Sequence, residues 1–295
     1  MGRFPSKEEI KNIAEQCGIA ACGIVSAEDD IAEYRRFLEC TENLPKELSY
    51  MRRPWDKRRR LSLWDSRAKS ALVCAFPYWD ASRSYSFEMN AIDSSEGGAE
   101  AYLIRTGRQN LQYSLLRRPE AKISRYALTA DYHKWAKERL RKVRDALKAI
   151  NPAICGSVFC DTSPVLEKEL ARLAGLGFRG RNTLIISPKF GSWFFIGGLT
   201  LNFSAGPDEP CELPQLPGGN WQGCGSCHIC ETVCPAGALS GGRIEQGKCF
   251  SFLTTQSKKQ MFGEIGAKHQ FPPYSYGCDI CQEHCPYNKK NKALL

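Results

Sequence analysis

The stretch Cys224-Gly225-Ser226-Cys227-His228-Ile229-Cys230-Glu231-Thr232-Val233-Cys234-Pro235 sets four cysteines at the spacing C-x2-C-x2-C-x3-C-P. A second stretch, Cys278-Asp279-Ile280-Cys281-Gln282-Glu283-His284-Cys285-Pro286, repeats its last three cysteines and its proline, and Cys249 stands upstream as the detached leading member. This is the bacterial ferredoxin spacing for [4Fe–4S] ligation. Two-residue gaps let three thiolates converge on one cube, and the three-residue gap with proline sends the fourth cysteine to the neighbouring cluster. The rule groups Cys224, Cys227, Cys230 and Cys285 around one cluster, and Cys234, Cys249, Cys278 and Cys281 around the other. Zinc is the weaker reading, since zinc motifs separate two C-x2-C pairs by a dozen or more residues. A disulfide framework is weaker still, because the chain exceeds the small secreted domains that need one and opens without a signal peptide. His228 and His284 read as loop residues rather than ligands.

The chain has 295 residues, 42% hydrophobic and 25% charged, which describes an ordinary globular protein of one to two domains. It has no run of about 18 apolar residues, so no membrane span is expected. Seven further cysteines (Cys17, Cys22, Cys40, Cys74, Cys155, Cys160, Cys211) sit mostly in apolar segments and read as buried thiols. Clusters and free thiols together favour a reducing cytoplasm. The net charge of +9 is densest at Arg52-Arg53-Pro54-Trp55-Asp56-Lys57-Arg58-Arg59-Arg60 and again at Lys289-Lys290-Asn291-Lys292. Both runs are candidates for phosphate contact, and both also read as solvated surface.

Ser6 with Glu9 forms a capping box that opens a helix through about Gln16. Ile19–Val25 reads as a strand, Ala27–Glu39 as a helix, and the apolar run Ser70–Phe76 as a buried strand. Residues 78–120 are polar and weakly periodic, a long loop that could order over a ligand. Asp131–Ile150 is helical, with Trp135, Leu140, Val143, Leu147 and Ile150 near one face. Ala153–Cys160 is the next strand and Pro164–Ala174 the next helix. Asn182–Ser187 and Trp193–Asn202 are two strands expected to pair around Pro188-Lys189-Phe190-Gly191. The fold class is α/β (α+β). An α/β domain spans residues 1–205, and after the Gly- and Pro-rich linker Gly206–Trp221 a ferredoxin-like two-cluster module completes residues 206–295.

Three upstream stretches have a chemical look: Ser124-Arg125-Tyr126-Ala127 leading to Asp131-Tyr132-His133, Asp161-Thr162-Ser163-Pro164 at a strand's carboxyl end, and Ala174–Thr183, rich in glycine. Ligand sites of open α/β sheets lie at such strand ends, and glycine lets backbone approach a large cofactor. Each also has a plain reading. Asp131 and Asp161 serve equally as helix N-caps, and the glycine run as a helix C-cap and turn. The glycine spacing matches neither a dinucleotide fingerprint nor a phosphate loop.

In this order, and with Asp161-Thr162-Ser163-Pro164-Val165-Leu166-Glu167, Ala174-Gly175-Leu176-Gly177-Phe178, Gly191-Ser192-Trp193-Phe194-Phe195, Lys248–Thr254 and both cysteine runs, the chain resembles the epoxyqueuosine reductase family over most of residues 1–290. It departs from the family at Arg181, where Lys is frequent, and at Gly198, where Glu is frequent. The resemblance implies two [4Fe–4S] clusters and a base-off cobalamin in the α/β domain, with contacts from Arg125, Tyr126, Tyr132, His133, Gly175, Gly177, Arg181, Ser192 and Trp193. It implies two-electron deoxygenation of an epoxide on a modified guanosine at the tRNA wobble position, in a form without the family's C-terminal helical repeats. Asp161 is then the candidate proton donor, with Asp131 a second polar group. A carboxyl shielded from water beside a corrin is expected to have a raised pKa. The partners implied are the tRNA anticodon region and an external flavodoxin- or ferredoxin-type donor, and the expected state is a monomer.

Overall fold

The computed structural model describes residues 2–52, 56–79, 122–128, 131–211, 223–257 and 274–290. The first region contains α1 (Lys7–Gln16), β1 (Ala21–Ser26), α2 (Tyr34–Thr41), α3 (Leu61–Trp64), β2 (Ser70–Pro77), β3 (Lys122–Ile123) and α4 (Tyr132–Ile150). It continues with β4 (Val158–Phe159), α5 (Glu167–Leu173), β5 (Phe178–Arg179), β6 (Ile185–Ile186) and β7 (Phe194–Leu201). The cysteine-rich region adds α6 (Ile229–Thr232), β8 (Leu239–Ser240), β9 (Arg243–Ile244), α7 (Phe250–Thr255), β10 (Tyr274–Tyr276), α8 (Ile280–Glu283) and α9 (Pro286–Lys290).

Four strands make the central sheet in the order β1-β2-β7-β4, every pair antiparallel. β2 reads as an unbroken apolar run because both its faces are covered. Ala71, Val73 and Ala75 join one core with Leu170 and Ala171 of α5. Leu72, Cys74 and Phe76 join the other, with Ile10 and Ala14 of α1 and Ala136, Leu140, Val143 and Leu147 of α4. Those four α4 positions step by four, three and four residues, which keeps them on one stripe. Each fully buried large side chain contributes roughly 1.5–3 kcal/mol of transfer free energy. The Ser6–Glu9 capping box is present in both directions, closing α1 as its residues require.

Several elements differ from the sequence reading. Ile150 is 38% exposed, whereas Trp135 keeps to the core face, half-buried beside Ala136 with its ring edge-on against Phe76 at 5.6 Å. Ala27–Glu39 is helical only from Tyr34, because Ala27 N–H is used by Lys69 O. The strand over Ala153–Cys160 shrinks to β4, since Asn202 and Thr200 side chains take the backbone groups of Ala153, Cys155 and Ser157. Pro164 precedes α5 by a turn. β6 and β7 meet only at the Ser187–Gly191 bridge. β6 pairs instead with β5, and β7, apolar on both faces, takes an inner place between β2 and β4. The start of the expected linker belongs to the sheet edge, where Asp208 exchanges hydrogen bonds with Ile24 and pairs with Lys11. Residues 80–121, most of the long polar stretch, lie outside the described residues.

The cysteine-rich region is joined to the sheet domain by polar contacts. β10 runs parallel to β3, and Ser124 N–H donates to Tyr276 O at 2.8 Å. The fully buried Asp279 carboxylate accepts from Ser124 Oγ and, at 2.7 Å, from Arg125 N–H. Ser192 donates its N–H to Asn288 Oδ1 (2.7 Å) and its hydroxyl to Gln282 Oε1 (2.9 Å).

A Cβ at Gly198 would lie 2.3 Å from the Phe159 ring and 2.6 Å from Leu72 O, so no side chain fits between β2 and β4. Gly198→Ala is expected to cost about 1–3 kcal/mol through overpacking and to lower the Tm of the anaerobic protein by several degrees. An unchanged Tm would mean that Phe159 has room to move.

Candidate functional site

Asp131 caps α4, accepting the His133 N–H at 3.0 Å, and its Oδ1 also meets His133 Nδ1 at 2.8 Å. The other ring nitrogen, Nε2, lies 2.9 Å from Asp161 Oδ2, to which Tyr132 donates its hydroxyl at 3.0 Å. Asp131, His133, Asp161 and Tyr132 thus form one chain of hydrogen bonds. The capping and site readings of Asp131 both hold, because the cap aims the imidazole. Asp161 caps no helix. It stands at the carboxyl end of β4 in the left-handed region, with φ 61°, and its side chain is 58% exposed. Its ring partners are fixed by packing, with Tyr132 stacked on Phe195 at 3.8 Å and 6°.

The electrostatics correct one expectation. The His133 hydrogen bond holds the Asp161 carboxyl below its usual range, outweighing burial, and the Tyr132 bond adds to it. The Asp161 bond in turn raises His133. Burial first, then the Asp161 charge, pushes the Tyr132 phenol far up, so it remains a neutral donor. The raised carboxyl belongs to Glu167, which the sequence reading did not assign. Burial, then the Asp161 charge, pushes it up to about 8, against a hydrogen bond of 2.5 Å from Asp161 N–H. That bond braces the left-handed turn.

Two non-glycine residues among those described have positive φ, Asp161 and Thr183 (φ 66°). Such strain, of order 1–3 kcal/mol, persists where surrounding structure imposes it, and it clusters at functional sites. Asp161 is exposed, whereas Thr183 is 7% exposed and meets Lys168 through its carbonyl. Lys168 donates to Thr183 O at 3.0 Å and lies within electrostatic reach of Asp161 on one side and of Cys249 and Cys281 on the other. Lys168, Asp161 and Thr162 are exposed there, and Tyr50 is 59% exposed. The face next to the cysteines is therefore not packed shut among the described residues.

The eight clustered cysteines fall into two neighbourhoods. Cys224, Cys227, Cys230 and Cys285 line one cavity of about 180 Å³, together with Arg181, Asn182 and Tyr287. Cys234, Cys249 and Cys278 lie within electrostatic reach of one another, and Cys281 lies within reach of Cys249, Cys278 and, across to the first group, Cys230. Backbone N–H groups point at sulfur from Arg181 to Cys224 (3.4 Å) and from Ala238 to Cys234 (3.3 Å). Burial pushes the Cys230 and Cys278 thiols up to about 12, so these pockets favour thiolate only when a cation supplies the charge. Among the described residues no three His, Cys, Asp or Glu side chains converge on a point as ligands of a single ion do. The first group rings a volume instead, and the Asn182 amide on its wall has a donor with no partner among the described residues. These features fit a metal–sulfur cube. His228 and His284 are exposed and bonded to Glu231 and Ile280 O.

Of the other sequence candidates, Tyr132 and His133 sit at Asp161, whereas Arg125, Ser192 and Trp193 sit at the junction. The Arg125 guanidinium lies 4.7 and 4.8 Å over the Trp79 and Trp193 rings and donates to Glu283 at 2.7 Å. Tyr126 faces Tyr276 with ring centroids 6.2 Å apart. Arg181 lines the four-thiol cavity. Gly175 and Gly177 meet the protein's own backbone: a Cβ would stand 2.8 Å from Glu209 O and 2.4 Å from Ile186 O, respectively. The described part of the first basic run is largely engaged internally. Arg52 binds Thr41 O and Glu42 O, Arg58 reaches Val165 O, and Arg59 and Arg60 pair with Asp30. Among the described residues no helix is long and apolar enough to cross a membrane.

Residues 58–162 match the family described as epoxyqueuosine reductase QueG, DUF1730, and residues 223–288 match the 4Fe-4S double cluster binding domain. An epoxyqueuosine reductase of Alicycliphilus denitrificans is 39% identical over 194 residues, 64% of this chain and 51% of that protein, so the chain spans about half that relative's length. The structure of the Streptococcus thermophilus epoxyqueuosine reductase superposes with a TM-score of 0.70 at 25% identity, covering 96% of this chain and 66% of that one. An epoxyqueuosine reductase solved with an epoxyqueuosine-modified tRNA stem loop gives 0.67 at 26% identity, with 97% and 66% covered. A reductive dehalogenase described as B12-dependent shares the fold alone, at 14% identity and a TM-score of 0.52, over 100% of this chain and 34% of that one. Its upstream region matches the epoxyqueuosine reductase model and its cysteine-rich region the double-cluster model, so the chain is similar to epoxyqueuosine reductases in both regions.

Proposed function

We propose that this chain reduces epoxyqueuosine to queuosine in tRNA. The observation that carries the reading is the Asp161–His133–Tyr132 constellation on an open face within reach, through Lys168, of the second cysteine group. Residues 1–205 would hold cofactor and substrate, and residues 206–295 the clusters, with Cys224, Cys227, Cys230 and Cys285 on one and Cys234, Cys249, Cys278 and Cys281 on the other. Cobalamin on the open face would supply a strongly reducing metal centre, recharged one electron at a time from the clusters. The overall reaction consumes two electrons and two protons, breaks both C–O bonds of the epoxide, and leaves an alkene and water.

The departing oxygen needs a proton, and this chain's own residues hold one. With Asp161 lowered and His133 raised, a proton shared by the pair favours the imidazole and leaves the charge on the carboxylate. Asp161, the exposed member, takes that proton from His133 Nε2 and passes it to the leaving oxygen. Asp131 fixes the ring by bonding Nδ1, and Glu167 holds the turn that presents Asp161. A flavodoxin- or ferredoxin-type donor in a reducing cytoplasm would supply electrons to a monomeric enzyme.

The test is anaerobic conversion of epoxyqueuosine-containing tRNA, read by mass spectrometry of the nucleosides. Loss of one oxygen is expected with wild type. Asp161→Asn is expected to lower turnover about 10²–10⁴-fold with the cluster and corrin spectra intact, and equal turnover would remove Asp161 from the acid role. Binding that persists at high salt would contradict phosphate-led recognition of tRNA.

The hydrogen-bonded pair also predicts a titration. A raised His133 stabilises the fold below its unfolded pKa and loses that contribution as pH rises through the folded value. A lowered Asp161 contributes above its unfolded pKa and loses it as pH falls through the folded value. The contribution is therefore full between roughly pH 4 and 6.5 and declines on either side. By nuclear magnetic resonance His133 should titrate above the ordinary histidine range and drop in Asp161→Asn, whereas an unmoved titration would sever the pair. Cys249→Ala should lower cluster iron from about eight towards four per chain, and two intact [4Fe–4S] signals in paramagnetic resonance would contradict its ligand role.

A further inference from the structure

Two side chains from the sheet domain reach the four-thiol cavity. Asn182 is 4% exposed. Its Oδ1 accepts Leu184 N–H at 3.2 Å, which assigns the opposite edge of the amide to Nδ2, and Nδ2 has no acceptor among the described residues. Arg181 is 7% exposed. It donates from Nη2 to Gly225 O at 3.1 Å and from its backbone N–H to Cys224 Sγ at 3.4 Å, and Nη1 stands 3.9 Å from Glu231 Oε1. A buried donor left unsatisfied costs about 1–3 kcal/mol, so an amide retained against this cavity calls for an acceptor inside it. The acceptors that a cubane brings are its sulfurs.

We infer that Asn182 and Arg181 set the reduction potential of the cluster held by Cys224, Cys227, Cys230 and Cys285, Asn182 by donating Nδ2–H to a cluster sulfur and Arg181 by placing a buried positive charge beside it. The inference rests on that quartet holding a [4Fe–4S] cluster. Reduction adds one negative charge to the cluster, so a hydrogen-bond donor and a nearby cation stabilise the reduced state more than the oxidised one and raise the potential. Glu231 offsets part of the Arg181 charge at 3.9 Å, while the Arg181 backbone N–H is bonded to Cys224 Sγ and its charge acts on that thiol. Lys in place of Arg181 would keep the charge but not the planar fork that reaches Gly225 O.

The experiment is a redox titration of the full, anaerobically reconstituted chain, monitored by paramagnetic resonance so that both clusters are resolved. Asn182→Leu removes the donor. Asn182→Asp keeps the acceptor for Leu184 N–H while removing the donor. Arg181→Met removes the charge, and Arg181→Lys retains it. One of the two midpoints should move to more negative potential in the first three variants and stay near wild type in Arg181→Lys, with the other midpoint fixed throughout. Unchanged midpoints in Asn182→Leu, Asn182→Asp and Arg181→Met at full iron and sulfide content would overturn the assignment. A shift in Arg181→Lys as large as in Arg181→Met would overturn the charge role of Arg181. Wild-type protein that binds only about four irons per chain would instead overturn the two-cluster reading beneath it.

Discussion

A fully buried carboxylate, Asp279, holds the two halves of the molecule in register. It sits next to Cys278 in the chain and is bonded to Ser124 and to the backbone of Arg125. Burial pushes its pKa up, so its charged form depends on those donors and on the Arg125 guanidinium at 3.5 Å. The partners come from the segment immediately before α4. A few residues later the same segment supplies Asp131, Tyr132 and His133, which hold Asp161. Ser124 and Arg125 therefore hold the cysteine-rich region, and Asp131, Tyr132 and His133 hold Asp161.

The Asp161 site is built from strain and hydrogen bonding rather than from desolvation. Asp161 occupies a left-handed turn that an L-residue adopts at a cost, braced by the Glu167 carboxylate from the first turn of α5. Its carboxylate is stabilised by His133 and Tyr132, so its pKa falls although the group is partly buried. Burial raises the neighbour, Glu167, instead. The division follows from partners: Asp161 has two donors on its oxygens, whereas Glu167 has a single backbone N–H and a like charge beside it.

Much of this arrangement is readable in the sequence, and the limits have physical causes. The cysteine spacing predicts two groups of four, and the structure draws Cys224, Cys227, Cys230 and Cys285 around one cavity, because gaps of two and three residues constrain thiol positions locally. α1 and α4 are legible from a capping box and a 3.6-residue stripe, both local signals. The partner of β6 is not, because pairing is a tertiary choice: two apolar residues fit equally well beside β5 or β7. Glu167 and Asn182 escape for a similar reason. Each is an ordinary polar residue whose role is set by what folds against it, the Asp161 turn in one case and the four-thiol cavity in the other. Gly175 and Gly177 show the converse error. Their small size is real, but it admits the carbonyls of Glu209 and Ile186.

The account turns on the open face beside Asp161 taking a corrin in contact with the electron store. The most direct measurement is to load the anaerobic, iron-replete chain with cobalamin, remove the excess, and record the paramagnetic resonance of divalent cobalt. A corrin retained at one per chain, with no nitrogen splitting from its own base, is the predicted result. Cobalamin that washes away while iron and sulfide remain would contradict it.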